Sequence, residues 1–292
     1  MQGASPARIR PAAVAGAFYH AHAAALRREI EETFTSPLGP GAVPRVEAGP
    51  RHLVGIIAPH AGYEYSGPGA AWAYAEVARD GRPAGAVILG VNHYHYYTAG
   101  SPLALSSADG WATPLGVMPV AQEFGRALRA LDADIGVDDP SHAYEHSLEV
   151  QVPFLQYLFG ELPILPIVVG HTTCDAVLAL GMALATLCTA HDLLIIASTD
   201  FSHQVPAEVA REQDALALDR IRTMDPLGLM EVVTDRGISM CGYQPTAIAL
   251  VAAKAMGVEE GTILHYHTSG DVTGDTRQVV GYGAVALEKG KR

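Results

Sequence analysis

Apolar residues along this chain fall into two kinds of run. Unbroken stretches of four to six occur at 53–58, 86–89, 164–169 and 193–197. They lack the alternation of a half-exposed strand, which predicts strands buried on both faces. Between them lie longer segments with apolar positions at helical spacing, such as Ala25, Leu26, Ile30 and Phe34. This spacing predicts a helix over 21–34. Further helices are predicted over about 68–79, 120–131, 147–159, 174–189, 206–223 and 226–235, and from Pro245 onward. A short strand near 102–106 and two late strands near 262–267 and 278–287 complete the pattern. Strands separated by helices of 10–15 residues imply βαβ crossovers and a largely parallel sheet covered on both faces. Residues 1–19 read as an extended arm packing near the site, and the Pro/Gly-rich stretch 36–51 as a surface connection. With no repeat or linker, residues 1–292 read as one α/β domain.

Composition agrees with a large core: 49% of the 292 residues are hydrophobic and 17% are charged. The formal net charge of -12 argues against nucleic acid or an anionic membrane as principal partner. No run is expected to span a membrane. The apolar stretch after Arg8 and Arg10 is interrupted by His20 and His22, unlike a signal peptide. Cys174, Cys188 and Cys241 lie far apart without a CxxC. That spacing fits a reducing cytoplasm.

The strand-like runs share one further property. They lead into His60, His93, His171, and Asp200 with His203. In an open α/β sheet, ligands bind beyond the carboxyl ends of the strands, so these polar residues point to one assembled site. His60 sits in a loop broken by Pro59 and Gly62. His93 is nearer its strand end than His95, and the two face opposite sides of an extended chain. Asp200 and His203 act together if their stretch is a helical turn, as ligands or as an orienting carboxylate with a general acid/base. Alternatively, Asp200 caps the following helix. Cys241 precedes a helix N-terminus, where peptide dipoles favour the thiolate. Cys174 and Cys188 read as buried apolar residues. His146 lies at a helix entrance with Glu145 and Glu149, as a supporting or substrate-facing imidazole. Ser147 and Glu149 read as capping residues.

These motifs resemble the Memo family, in microbes often labelled the AmmeMemoRadiSam system protein B. The likeness runs from Ala15-Gly-Ala-Phe-Tyr19 through Ala58-Pro-His-Ala-Gly-Tyr-Glu-Tyr-Ser-Gly67 and Leu105-Ser-Ser107. It continues through Glu145-His-Ser-Leu-Glu149 and Ser198-Thr-Asp-Phe-Ser-His203 to Cys241-Gly-Tyr-Gln-Pro245. The resemblance implies a three-layer α/β sandwich like that of class III extradiol dioxygenases, with a largely parallel or mixed central sheet and a metal at the strand ends. It implies His60, His93 and Cys241 as ligands, with cysteine where those dioxygenases carry glutamate. Asp200 and His203 would flank the metal, His203 matching the acid/base histidine. Tyr65 and Phe18 would line the pocket, Phe18 standing where animal relatives have tryptophan. Tyr63 and His146 are also expected on the substrate side. His171 matches no functional position and reads as structural.

The expected function is a non-haem Fe(II) oxidoreductase acting with O2 on a small-molecule substrate, with copper or zinc as alternative metals. A non-catalytic metal- or peptide-binding module is the alternative. A zinc hydrolase ranks below it, lacking an HExxH pairing. A radical-SAM partner is a further implication of the microbial resemblance.

Overall fold

The computed structural model describes residues 7–94, 102–131 and 134–290. Its elements are β1 (Ile9–Arg10), α1 (Ala23–Thr35), β2 (Leu53–Ala58), α2 (Tyr63–Asp80), β3 (Gly85–Val91), β4 (Leu103–Leu105), β5 (Gly110–Thr113) and β6 (Gly116–Pro119). Next come α3 (Gln122–Leu131), β7 (Gly136–Val137), α4 (Asp139–Ala143), α5 (His146–Glu149), α6 (Val152–Phe159), β8 (Ile164–Val169) and α7 (Cys174–His191). The chain closes with β9 (Leu193–Ser198), β10 (His203–Val205), α8 (Ala207–Arg222), α9 (Pro226–Arg236), α10 (Tyr243–Ala255), β11 (Gly261–Thr268), α11 (Ser269–Thr273) and β12 (Val279–Glu288).

Among the described residues, nine strands form one mixed sheet in the order β10-β12-β2-β9-β3-β8-β4-β7, with β11 also paired to β12. Its centre, β2-β9-β3-β8, is parallel, and antiparallel pairs flank it on both sides. The central strands are buried on both faces, as their unbroken apolar runs predict. Leu194 and Ile196 face a core shared with α1, α2 and α6. Ile195 and Ala197 face one shared with α7, α9 and α10. The result is a three-layer sandwich. The parallel centre brings the carboxyl ends of β2, β9 and β3 together at one edge.

Several boundaries differ from the expected ones for local reasons. The helix predicted from 68 begins at Tyr63 and carries Pro68 inside it. The helix predicted over 147–159 is divided into α5 and α6, where Pro153 cannot donate the next backbone bond. The β5–β6 hairpin was not expected; with β1 it forms a separate small sheet. Asp200 to His203 is not a helical turn: His203 opens strand β10. Cys174 is exposed rather than buried, whereas Cys188 is buried. Against expectation, α7 is long and apolar enough to cross a membrane. Here it packs on α10 and β9 and contributes Val177, Leu180, Leu184 and Leu187 to the core.

The N-terminal arm is fastened by a buried ion pair. Glu149 accepts hydrogen bonds from Arg10 Nη1 (2.6 Å), the Tyr19 hydroxyl (2.6 Å) and the amides of Ala13 and Val14. Arg10 also donates to the carbonyls of His142 and Glu145, and its guanidinium lies 4.3 Å from the Trp111 ring centre. Glu149 is therefore the clasp of the arm and not a helix cap. His142, buried beside Trp111, holds α4 to β4 by donating from Nε2 to the Ala104 carbonyl (3.0 Å). Burial pulls its pKa from 6.5 down to about 4.

Removing one partner of a buried ion pair leaves the other charge uncompensated, at a cost of about 3–5 kcal/mol. Glu149→Ala is expected to lose stability of that order in urea denaturation; a loss under 1 kcal/mol would show that the clasp is not needed. His142 stays neutral in the folded chain while the unfolded chain takes up a proton below pH 6.5. Its stabilising contribution is thus intact above 6.5 and is lost as the pH falls toward 4. His142→Gln should be less stable than wild type at pH 8, with the gap narrowing by about 2 kcal/mol at pH 5. An unchanged gap would contradict this assignment.

Candidate metal centre

His60 follows β2, Asp200 follows β9, His93 follows β3, and Cys241 immediately precedes Gly242, the N-cap of α10. Neighbouring strand ends and one helix entrance thus converge. One nitrogen each of His60 and His93 and the Cys241 sulfur lie within 4.8 Å of one another. His60 Nε2 is 3.2 Å from Cys241 Sγ, and the His60 and His93 ring centres are 5.3 Å apart.

The surrounding hydrogen bonds assign the tautomers. Gln151 Nε2 donates to the Pro59 carbonyl (3.0 Å) and to Ser198 Oγ (2.8 Å). Ser198 spends its only proton on the Ser147 carbonyl (2.6 Å). Its remaining lone pair faces His60 Nδ1 at 3.0 Å, so that nitrogen must carry the hydrogen. His93 Nδ1 lies 2.9 Å from Glu145 Oε1 and donates to it. Glu145 also accepts the amides of His93 and Ser147. Burial would push this carboxyl up, but the bonds from His93 and its neighbours outweigh burial and hold it at about 2. Both imidazoles therefore carry the hydrogen on Nδ1 and leave Nε2 bare, the arrangement of metal-binding histidines held by outer hydrogen bonds.

Cys241 departs from the expected low-pKa thiol. Burial, reinforced by the Asp200 carboxylate, pushes the thiol up and outweighs the donated Asp200 amide. A thiolate there needs a cation beside it. Asp200 does not cap a helix: its Oδ1 accepts the His60 amide at 2.7 Å. Burial raises its pKa. His203 donates from Nδ1 to the Ser239 carbonyl (2.8 Å), which leaves its Nε2 bare as well.

The remaining expected site residues are placed unequally. His146 stacks on His93 with ring centres 4.5 Å apart, and Phe18 covers His146 at 4.6 Å. Burial lowers the His146 pKa to about 4. Phe18 and Tyr65 line a cavity of about 510 Å³ beneath the arm. Tyr63 lies at its floor but turns inward, donating its hydroxyl to the Val150 carbonyl (2.6 Å). That hydroxyl is not free for a substrate, a correction to the expected role. A second cavity, of about 300 Å³, is bounded by Cys241, Asn92, Tyr243 and His171. His171 thus borders a cavity that reaches the cysteine. His95 lies outside the described residues.

Residues 10–286 match the Memo-like protein family. The chain belongs to that family. A MEMO1 family protein of Methanopyrus kandleri is 43% identical over 284 residues, covering 96% of this chain and 99% of the relative. One from Methanothermobacter thermautotrophicus is 44% identical, covering 94% and 98%. An uncharacterized Escherichia coli K12 protein of known structure shares the fold at a TM-score of 0.56 and 14% identity, covering 80% of this chain and 99% of its own. In this Memo-like chain, Glu145, Ser198 and Gln151 were not singled out from the sequence as supports of the histidines. Glu145 and Ser198 do lie inside the motifs quoted for the resemblance.

The Ser198 hydroxyl is expected to set the His60 tautomer in the metal-free protein. Nitrogen NMR should show the Nδ1–H form in wild type and a mixture in Ser198→Ala. A wild-type ring protonated on Nε2 would contradict the assignment.

Proposed function

We propose that this Memo-like protein is a non-haem Fe(II) oxidoreductase acting with O2 on a small substrate. The reading is carried by one observation: one nitrogen each of His60 and His93 and the Cys241 sulfur converge within 4.8 Å, while each imidazole is also held by a bond at Nδ1. The donor set fits a transition metal. Imidazole suits iron, copper and zinc, while a thiolate softens the site relative to a carboxylate. A bound iron would supply one-electron chemistry and open positions for oxygen and substrate.

The chain's own groups supply the rest. Asp200 Oδ1 holds the His60 backbone. The Nε2 of His203, left bare by the bond from Nδ1 to Ser239, would take a proton from a substrate and return it. Tyr65 and Phe18 line the cavity beneath the arm, and the His146 ring lies between Phe18 and His93.

Anaerobic loading with Fe(II) followed by nitric oxide is expected to give an iron–nitrosyl EPR signal. Its absence from fully loaded protein would refute an open iron site. Glu145→Gln should weaken metal binding by about 10–100-fold, the usual consequence of losing a histidine's outer partner. Equal affinity in a competition titration would remove His93 from the ligand set. Cys241→Glu should shift preference from copper toward iron; a fall in relative iron affinity would show that Cys241 is not a ligand. Substrate-dependent oxygen uptake abolished by His60→Ala separates this function from a binding module without turnover.

A further inference from the structure

Among the described residues, all buried tyrosines but one commit their hydroxyls. Tyr19 donates to Glu149, Tyr63 to the Val150 carbonyl and Tyr74 to Gln151. Tyr282 is the exception. Only 2% of the residue is exposed, yet its hydroxyl has no hydrogen-bond partner among the described residues, and its oxygen is not sealed away from accessible space. Polar groups in folded chains are normally satisfied by protein, water or ligand, and among the described residues none engages this one, so it is open to a bound molecule.

Strand register places it at the candidate metal centre. β12 runs antiparallel to β2, with Val285 opposite Ile57, so its first residues lie beyond the end of β2 that leads to His60. Gly281 accepts from the Phe201 amide and donates to the Ser202 carbonyl, both at 2.9 Å. That fastens the residue before Tyr282 to the segment between Asp200 and His203. A Cβ on Gly281 or Gly283 would meet Asp214 or Phe201. By strand alternation Tyr282 points to the opposite face, where its ring lies 5.2 Å from His267. His267 in turn faces the Tyr65 carbonyl at 2.9 Å. Besides burial, Asp200 and then Tyr65 raise the Tyr282 pKa, which keeps the phenol protonated.

Asp200 is matched to it. Its Oδ1 is taken by the His60 amide, while Oδ2 has no hydrogen-bond partner among the described residues and, like the phenol oxygen, is not sealed from accessible space. Asp200 directly precedes Phe201, whose amide is bonded to the Gly281 carbonyl next to Tyr282, so an open donor and an open acceptor lie on adjoining segments. Together they suit a hydroxyl group, which gives a proton to one and accepts one from the other.

We propose that Tyr282 is a substrate-binding residue, donating a hydrogen bond from its phenol to an oxygen of a hydroxylated small molecule that Asp200 also engages. The assignment rests on the metal-centre reading above and adds a ligand class to it. Catechol is the probe. It is titrated calorimetrically into anaerobic, Fe(II)-loaded wild type and Tyr282→Phe, with iron content and melting temperature measured on the same samples.

Tyr282→Phe should load iron and melt as wild type does, because the lost hydroxyl bonds to nothing among the described residues. It should bind catechol about five- to tenfold more weakly, the loss of one hydrogen bond. Equal catechol affinity in the two proteins would overturn the assignment while leaving the metal centre intact. So would iron-loaded wild type that does not bind catechol. Weaker binding accompanied by lower melting temperature or iron content would make the hydroxyl structural and overturn it too. Wild type that does not load iron would overturn the metal-centre reading and this assignment with it.

Discussion

A histidine can present Nε2 to a ligand only if its proton stays on Nδ1, and much of the buried polarity around this site serves that requirement. Ser198 meets it for His60 and Glu145 for His93. The Glu145 carboxylate can only accept, but a hydroxyl can also donate. Ser198 must send its own proton to the Ser147 carbonyl and accept from Gln151. Gln151, in turn, is oriented by the Pro59 carbonyl and receives the Tyr74 hydroxyl. Each of these groups is buried, where an unmatched donor or acceptor is costly. The chain of bonds therefore has one low-energy orientation, and it leaves the imidazoles ready before any ligand arrives.

The layered fold makes that chain possible. β2, β9 and β3 are adjacent and parallel, so His60, Ser198 and His93 reach one edge although they are far apart in sequence. Ser147 and Gln151 come from the short helical segments on the same side. Glu149, in that stretch, gathers the N-terminal arm through Arg10, Tyr19 and two amides. The arm then lays Phe18 over His146, which stacks on His93. Thus one stretch, Glu145 to Gln151, both supports the two imidazoles and carries the ring that packs between His93 and the arm.

Much of this was readable in the amino-acid sequence, because buried parallel strands leave unbroken apolar runs and their ends locate a site. The runs before His60, His93 and Asp200 are strands, and their ends do meet. What could not be read depends on tertiary partners. Periodicity cannot show that Glu149 faces Arg10 of the arm, 139 residues away, or that Ser198, the last residue of an apolar strand, orients an imidazole. The helix start at Tyr63 was hidden by Gly62, Gly67 and Pro68, which locally signal a loop. Cys241 illustrates the same limit: its position before a helix argues for a lowered pKa, but burial and Asp200 outweigh it. Tyr282 lies in an ordinary-looking strand and stands out only once its hydroxyl is seen without a partner among the described residues.

The central claim is that His60, His93 and Cys241 bind one metal through the atoms left free by their neighbours. Anomalous diffraction from crystals of iron-loaded protein, collected on both sides of the iron edge, tests it most directly. One iron peak is expected, bonded to His60 Nε2, His93 Nε2 and Cys241 Sγ. A peak elsewhere, or one that excludes the Cys241 sulfur from bonding distance, would contradict the account.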